Sequence, residues 1–137
     1  MKNRYYSKIR EAEKILTDLQ KNVHNTFVNK FQSKENEKKW EEACTLFHDQ
    51  YNRLYFNGIS DYRTELRNGN QDAIEFALAF LEIRPYFFRS GYIYKDLMRV
   101  LKNCPLNTSQ KLRFESILKK YIEYKKIKDN KISSTDG

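Results

Sequence analysis

The stretch that decides the fold is DAIEFALAFLEIRPYFFRSGYIYKDLMRVLKNCPL, residues 72–106. Ala73, Ile74, Phe76, Ala77, Leu78, Phe80, Leu81 and Ile83 are apolar on nearly every face of a helix, so this segment is expected at the buried centre of the molecule. Pro85 fixes its own φ and disfavours the α region for the residue before it, which predicts a helix end near Arg84. Gly91 predicts a second break just before Tyr92. Between the two breaks lies an aromatic corner. Tyr86, Phe87, Phe88 and Tyr92 are together too apolar for water, so the corner is expected to plug the core, with Arg84 and Arg89 left to acceptors or solvent. Beyond it Ile93, Leu97, Val100, Leu101 and Cys104 form one stripe with Lys95, Arg99 and Lys102 on its outer side, and Asn103-Cys104-Pro105 ends the helix.

Outward from this centre, the helical spacing continues in both directions. Ile9, Ala12, Ile15, Leu16, Leu19, Val23, Phe27 and Phe31 recur at intervals of three and four, predicting a long helix from Tyr5 to about Phe31, which Asn22 and Asn25 are expected to loosen. Ser33 starts a second helix carrying Trp40, Ala43, Cys44, Phe47, Tyr51, Leu54 and Tyr55, and Asn57-Gly58 suits its end. Ser60 is expected to cap a short helix with Asp61 in its first turn and Tyr62 and Leu66 inside, closed by Asn68-Gly69-Asn70. Asn107 or Thr108 caps the last helix, with Gln110 at the third position if Asn107 is the cap. Phe114, Ile117, Leu118, Tyr121 and Ile122 face inward there. These segments describe an all-α, single-domain bundle of five or six helices over residues 1–128, with a polar, disordered tail at 129–137. Its expected core holds Phe76, Phe80, Leu81, Phe87, Leu97, Leu101 and Leu118.

Composition supports that class: 137 residues suit one core, and only four Gly and two Pro are available for hairpins and sheet corners. Cys44 and Cys104 have neither C-x-x-C nor zinc-finger spacing, which suits thiols in a reducing compartment. Cys44 and His48 share a helix face at a spacing two metal ligands use, yet no third ligand accompanies them, so a core cysteine bordered by a histidine is the expectation. The N-terminal MKNRYYSKIREAEKIL lacks an uninterrupted apolar run, and no window reaches the roughly 18 apolar residues of a membrane span, so the chain is expected to be cytoplasmic and without a membrane partner.

The net charge of +8 is unevenly distributed. Residues 1–40 carry ten Lys/Arg against five Asp/Glu (+5), residues 41–83 three against eight (−5), and residues 84–128 twelve against three (+9). Either the acidic middle packs against its basic neighbours, or a basic face is left for an acidic partner. No P-loop, dinucleotide fingerprint, zincin or nucleophile-elbow motif occurs, so the chain is expected to be no enzyme and to use no cofactor or metal. Two constellations remain. Arg84, Arg89, Ser90 and Tyr92 around the corner suit a phosphate or carboxylate, or else bridge helix-end carbonyls and the acidic middle block. The last helix, with Arg113, Lys119, Lys120, Tyr121 and Tyr124, suits a nucleic-acid backbone or an acidic protein, or else is a solvated lysine-rich face.

The segment RPYFFRSGYIYKDLMRVLKNCPLNTSQKLRF, residues 84–114, resembles a C-terminal pattern of small, uncharacterised helical bacterial proteins, and the single-domain profile without a catalytic motif is similar to immunity proteins of contact-dependent growth inhibition and related toxin systems. The resemblance spans roughly residues 72–125 and is most specific at Arg84-Pro85 and Arg89-Ser90-Gly91-Tyr92. It implies a non-enzymatic protein that neutralises a toxin by direct binding; the basic charge of this chain then calls for an acidic toxin domain. The expected contact residues are Arg84, Arg89, Tyr92, Arg99, Arg113, Lys119, Lys120 and Tyr121. The alternative is a basic accessory protein that binds nucleic acid.

Overall fold

The computed structural model describes residues 3–54 and 61–135, and among these the chain is all-helical, with no strand. Helix α1 spans Arg4–Val28, α2 Lys34–Leu54, α3 Tyr62–Arg67, α4 Gln71–Ile83, α5 Ser90–Leu101 and α6 Thr108–Thr135. Asn3 caps α1 by accepting the Tyr5 N–H at 2.8 Å, and the helix runs unbroken past Asn22 and Asn25. Ser33 caps α2 by accepting the Asn36 N–H, and Asp61 accepts at the start of α3, from Thr64. The Asn57-Gly58 stop and the Ser60 cap lie outside the described residues. The clearest cap is that of α6. Asn107 Oδ1 accepts the Gln110 N–H at 2.8 Å while Gln110 Oε1 accepts the Asn107 N–H at 3.0 Å, a reciprocal box that satisfies two otherwise orphaned donors. The backbone of α6 then stays helical to Thr135, past the point where a disordered tail was expected, because no Gly or Pro intervenes before Gly137.

Helix α4 is the hub: it packs against α1, α3, α5 and α6, while α1 and α2 form an antiparallel hairpin alongside. This follows from its composition, since a helix apolar all round has no face to give to water. Ala73, Ile74, Ala77, Leu78 and Ala79 are fully buried. The small alanines let neighbouring helices approach, and the larger side chains fill the space between them. Of the expected core, Phe76, Phe80, Leu81, Phe87, Leu97 and Leu101 are buried, and Leu118 packs against the cluster half-covered. Ile9, Leu16 and Leu66 complete the core from α1 and α3.

Two expectations give way at the ends of the α1 stripe and at the corner. The apolar stripe of α1 outlives its helix: α1 ends at Val28, and Phe27 and Phe31 emerge into solvent beside the half-buried Trp40, where the Lys30 ammonium lies over all three rings at 4.1–4.7 Å. At the corner only Phe87 plugs the core. Pro85 and Phe87 are buried while Tyr86 is 87% exposed and Phe88 45%, so burial alternates along the corner. Tyr92 is likewise exposed, at 77%. The second break is made by Arg89 rather than Gly91: Arg84 (φ 52°) and Arg89 (φ 68°) both adopt the left-handed conformation, and Gly91 is already inside α5. Ser90 stitches the turn, accepting the Phe87 N–H on its Oγ at 3.1 Å while donating its own N–H to the Phe87 carbonyl.

Candidate binding face

The charge blocks resolve into two different fates. Of the acidic middle block, Asp72, Glu75 and Glu82 are taken up by joints between helices, while Glu41, Glu42 and Asp49 of α2 stay exposed and form no ion pair among the described residues. Arg113 lies between Glu75 and Glu82, 2.5 Å from each; Gln110 donates to Glu75 at 3.1 Å and the Tyr6 hydroxyl donates to Glu82 at 2.8 Å. Asp72 receives the Tyr5 hydroxyl and the Arg4 guanidinium, tying α1 to α4. Asp96 receives the Tyr62 hydroxyl, Arg63 at 2.9 Å and Arg99 at 2.8 Å, tying α3 to α5. The paired carboxylates are therefore joints between helices, each joint using a tyrosine or arginine whose stem is partly covered.

Burial pushes the Asp96 carboxyl up, but the hydrogen bonds from Arg63, Tyr62 and Arg99 outweigh it and hold its pKa below the usual carboxylate range. Glu75 behaves the same way: burial raises it, while Gln110 and Arg113 lower it further. A carboxylate whose folded pKa lies below its unfolded value of about 4 stabilises the fold fully above that value, and the contribution is lost as the pH falls through the folded pKa. The thermal midpoint is accordingly expected to drop steeply below about pH 4. In the Asp96→Asn variant the midpoint should start lower at neutral pH and fall less on acidification. An equal acid slope in wild type and variant, measured by circular dichroism, would remove Asp96 from the account.

The basic C-terminal block has the opposite fate. Arg84, Lys95, Lys102, Lys120, Lys125, Lys126 and Lys128 form no ion pair with a carboxylate among the described residues. All but Lys120 gather along the seam of α5 and α6 in two confluent grooves. One, of about 460 Å³, is lined by Lys95, Arg99, Lys102, Lys125 and Lys126 around Met98, Leu118, Tyr121 and Ile122. The other, of about 690 Å³, is lined by Arg84, Lys95, Lys125 and Lys128 with Tyr86, Tyr94, Tyr121 and Tyr124. Neither lining includes a carboxylate. Arg84 is held flat, its guanidinium 4.4 Å from the centroid of Tyr124 and 5.0 Å from that of Tyr94, and Lys125 stands over Tyr121 at 5.2 Å. The rings keep the cations in place without neutralising them.

The eight residues singled out from the sequence thus separate. Arg84, Tyr121 and Lys120 border the α5–α6 seam, Lys120 in an adjoining cleft with Arg113. Arg89 and Tyr92 belong to a third groove on the other side of α5, so the two corner arginines do not converge on one anion. Arg113 is committed to Glu75 and Glu82, and Arg99 is half-committed to Asp96 while still lining the seam. Lys119 is exposed but lines neither seam groove. Lys125, Lys126 and Lys128 were legible as a basic helix and Lys95, Arg99 and Lys102 as an outer stripe; their meeting across one seam required the packing angle of α5 on α6. No protein-family model matches the chain, and neither a curated protein nor a solved structure is found to be similar to it.

Proposed function

We propose that the chain is a non-enzymatic binding module that docks an acidic protein on the α5–α6 seam, and that its role is that of an immunity protein neutralising a bacterial toxin by direct contact. The observation that carries this reading is the make-up of the seam: Arg84, Lys95, Lys102, Lys125, Lys126 and Lys128 stand among tyrosines without an ion pair among the described residues, and no carboxylate lines either groove, whereas Asp72, Glu75, Glu82 and Asp96 are taken up by helix joints. Tyr and Arg are the side chains that anchor interfaces, and unpaired Lys around them steers an oppositely charged partner. The seam rests on rigid helices fixed to the hub, so little ordering entropy is lost on docking.

A second reading is favoured by one feature, the alternation of cations with Tyr86, Tyr121 and Tyr124 along the groove, which also suits single-stranded nucleic acid stacking its bases on rings. Affinity capture of the tagged full chain from its native cell separates the two. A stoichiometric acidic protein, retained after nuclease treatment, is the expected result. Recovery of nucleic acid without such a protein, together with filter retention that collapses as salt rises, would transfer the seam to the second reading.

A further inference from the structure

On the far side of α5 a trough of about 850 Å³ runs between α1 and the corner. Its floor is Phe88, packed edge-on against Phe47 of α2 with centroids 5.8 Å apart, and the strongly exposed rings of Tyr86 and Tyr92 form its rim. Lys21 of α1, Arg89 and Lys95 supply its charge, and no carboxylate is among the lining residues. None of these three cations forms an ion pair among the described residues. Surface rings of this size are ordinarily covered, and three gathered round one trough mark a contact surface.

The backbone adds a separate argument. Arg89 holds the left-handed conformation, which strains a side chain with a Cβ relative to glycine. Glycine would make the same turn without that strain, and the Arg89 side chain makes no capping hydrogen bond for α5. The guanidinium lies over the Phe88 ring, 5.4 Å from its centroid, so the strained turn sets a cation on the aromatic floor at the mouth of the trough, a pattern that occurs where a side chain serves recognition.

We infer that this trough receives an acidic peptide segment of the partner that carries an aromatic side chain, the ring seated between Tyr86 and Tyr92 against the paired Arg89 and Phe88, and the carboxylates meeting Lys21, Arg89 and Lys95. The inference rests on the reading of the chain as a docking module for an acidic protein, and names where that partner is anchored. A small ligand would remain largely wet between rims that stand so far into solvent, whereas a polypeptide laid along the trough covers both rims and continues over Lys95 onto the α5–α6 seam, which shares that residue.

The test uses the full chain, ¹⁵N-labelled, titrated with a dodecapeptide of Asp and Glu bearing one central Phe, with a Phe→Gly control and a Lys-for-acid control. Shift changes at Gln20, Phe88, Gly91 and Tyr92, an affinity at least tenfold weaker without the Phe, and no binding of the basic peptide are expected. The Arg89→Gly variant should melt no lower than wild type yet bind the Phe peptide at least tenfold more weakly. Shifts confined to the α5–α6 seam and indifferent to the Phe would overturn the trough while leaving an acidic-partner seam in place; no response to any acidic peptide on either surface would overturn both. Trough shifts that appear on concentrating the chain without peptide would make it a self-association face, and unchanged affinity in Arg89→Gly would remove the guanidinium from recognition.

Discussion

Phe80→Ala is expected to lower the unfolding free energy by about 3–5 kcal/mol, the usual cost of emptying a buried phenylalanine site. Phe80 is 3% exposed on the hub helix, and its ring meets that of Phe87 at 88° with centroids 6.2 Å apart. Phe87 in turn lies edge-on to Tyr51 of α2 at 6.4 Å. One ring thereby holds α4, the corner and α2 together, and the alanine variant leaves Phe87 without the partner that keeps the corner seated. Against the total stability of about 5–15 kcal/mol usual for a domain, such a loss leaves a large unfolded fraction. The measurement is urea unfolding followed by circular dichroism and by tyrosine fluorescence. A cost below about 1 kcal/mol would mean that the corner repacks freely and that Phe80 is not its keystone.

Reversing charge at Lys102, Lys125, Lys126 and Lys128 to Glu should slow association with an acidic partner by about ten- to a hundredfold at low ionic strength, without unfolding the chain. Each of these lysines lies on an exposed face and none pairs with a carboxylate among the described residues, so helix joints are untouched. The same variant should lose most of the salt dependence of its association rate, because steering by long-range charge is what salt screens. Lys119→Glu is the internal comparison, a reversal on the same helix outside both seam grooves, with an expected effect of no more than about threefold. Stopped-flow association across a salt series distinguishes the cases. Equal slowing by Lys119→Glu would mean that net charge, not the seam, governs encounter.

The helices were legible because their causes are local. Apolar spacing of three and four, the Asn107–Gln110 cap, the Pro85 stop and the all-round apolarity of Ala73–Leu81 each act within a few residues, and each predicted its element to within a few positions. The corner was misread where the cause was not local. Composition alone makes Tyr86, Phe88 and Tyr92 core residues; Tyr86 and Phe88 are exposed because the turn between two left-handed arginines buries Pro85 and Phe87 instead, and Tyr92 because it stands on the outer face of α5.

The binding residues divide in the same way. That residues 84–128 hold an excess of positive charge is a property of the sequence, and so is the acidity of the middle block. Which charges cancel is a property of packing alone, because an ion pair forms between groups a few ångströms apart irrespective of their separation along the chain. Arg113 and Lys120 are seven residues apart on one helix and look equivalent in the sequence. In the folded chain Arg113 lies between two carboxylates of the hub while Lys120 is exposed and forms no ion pair among the described residues, and that distinction, invisible to composition and periodicity, separates a structural joint from a charge left for a partner.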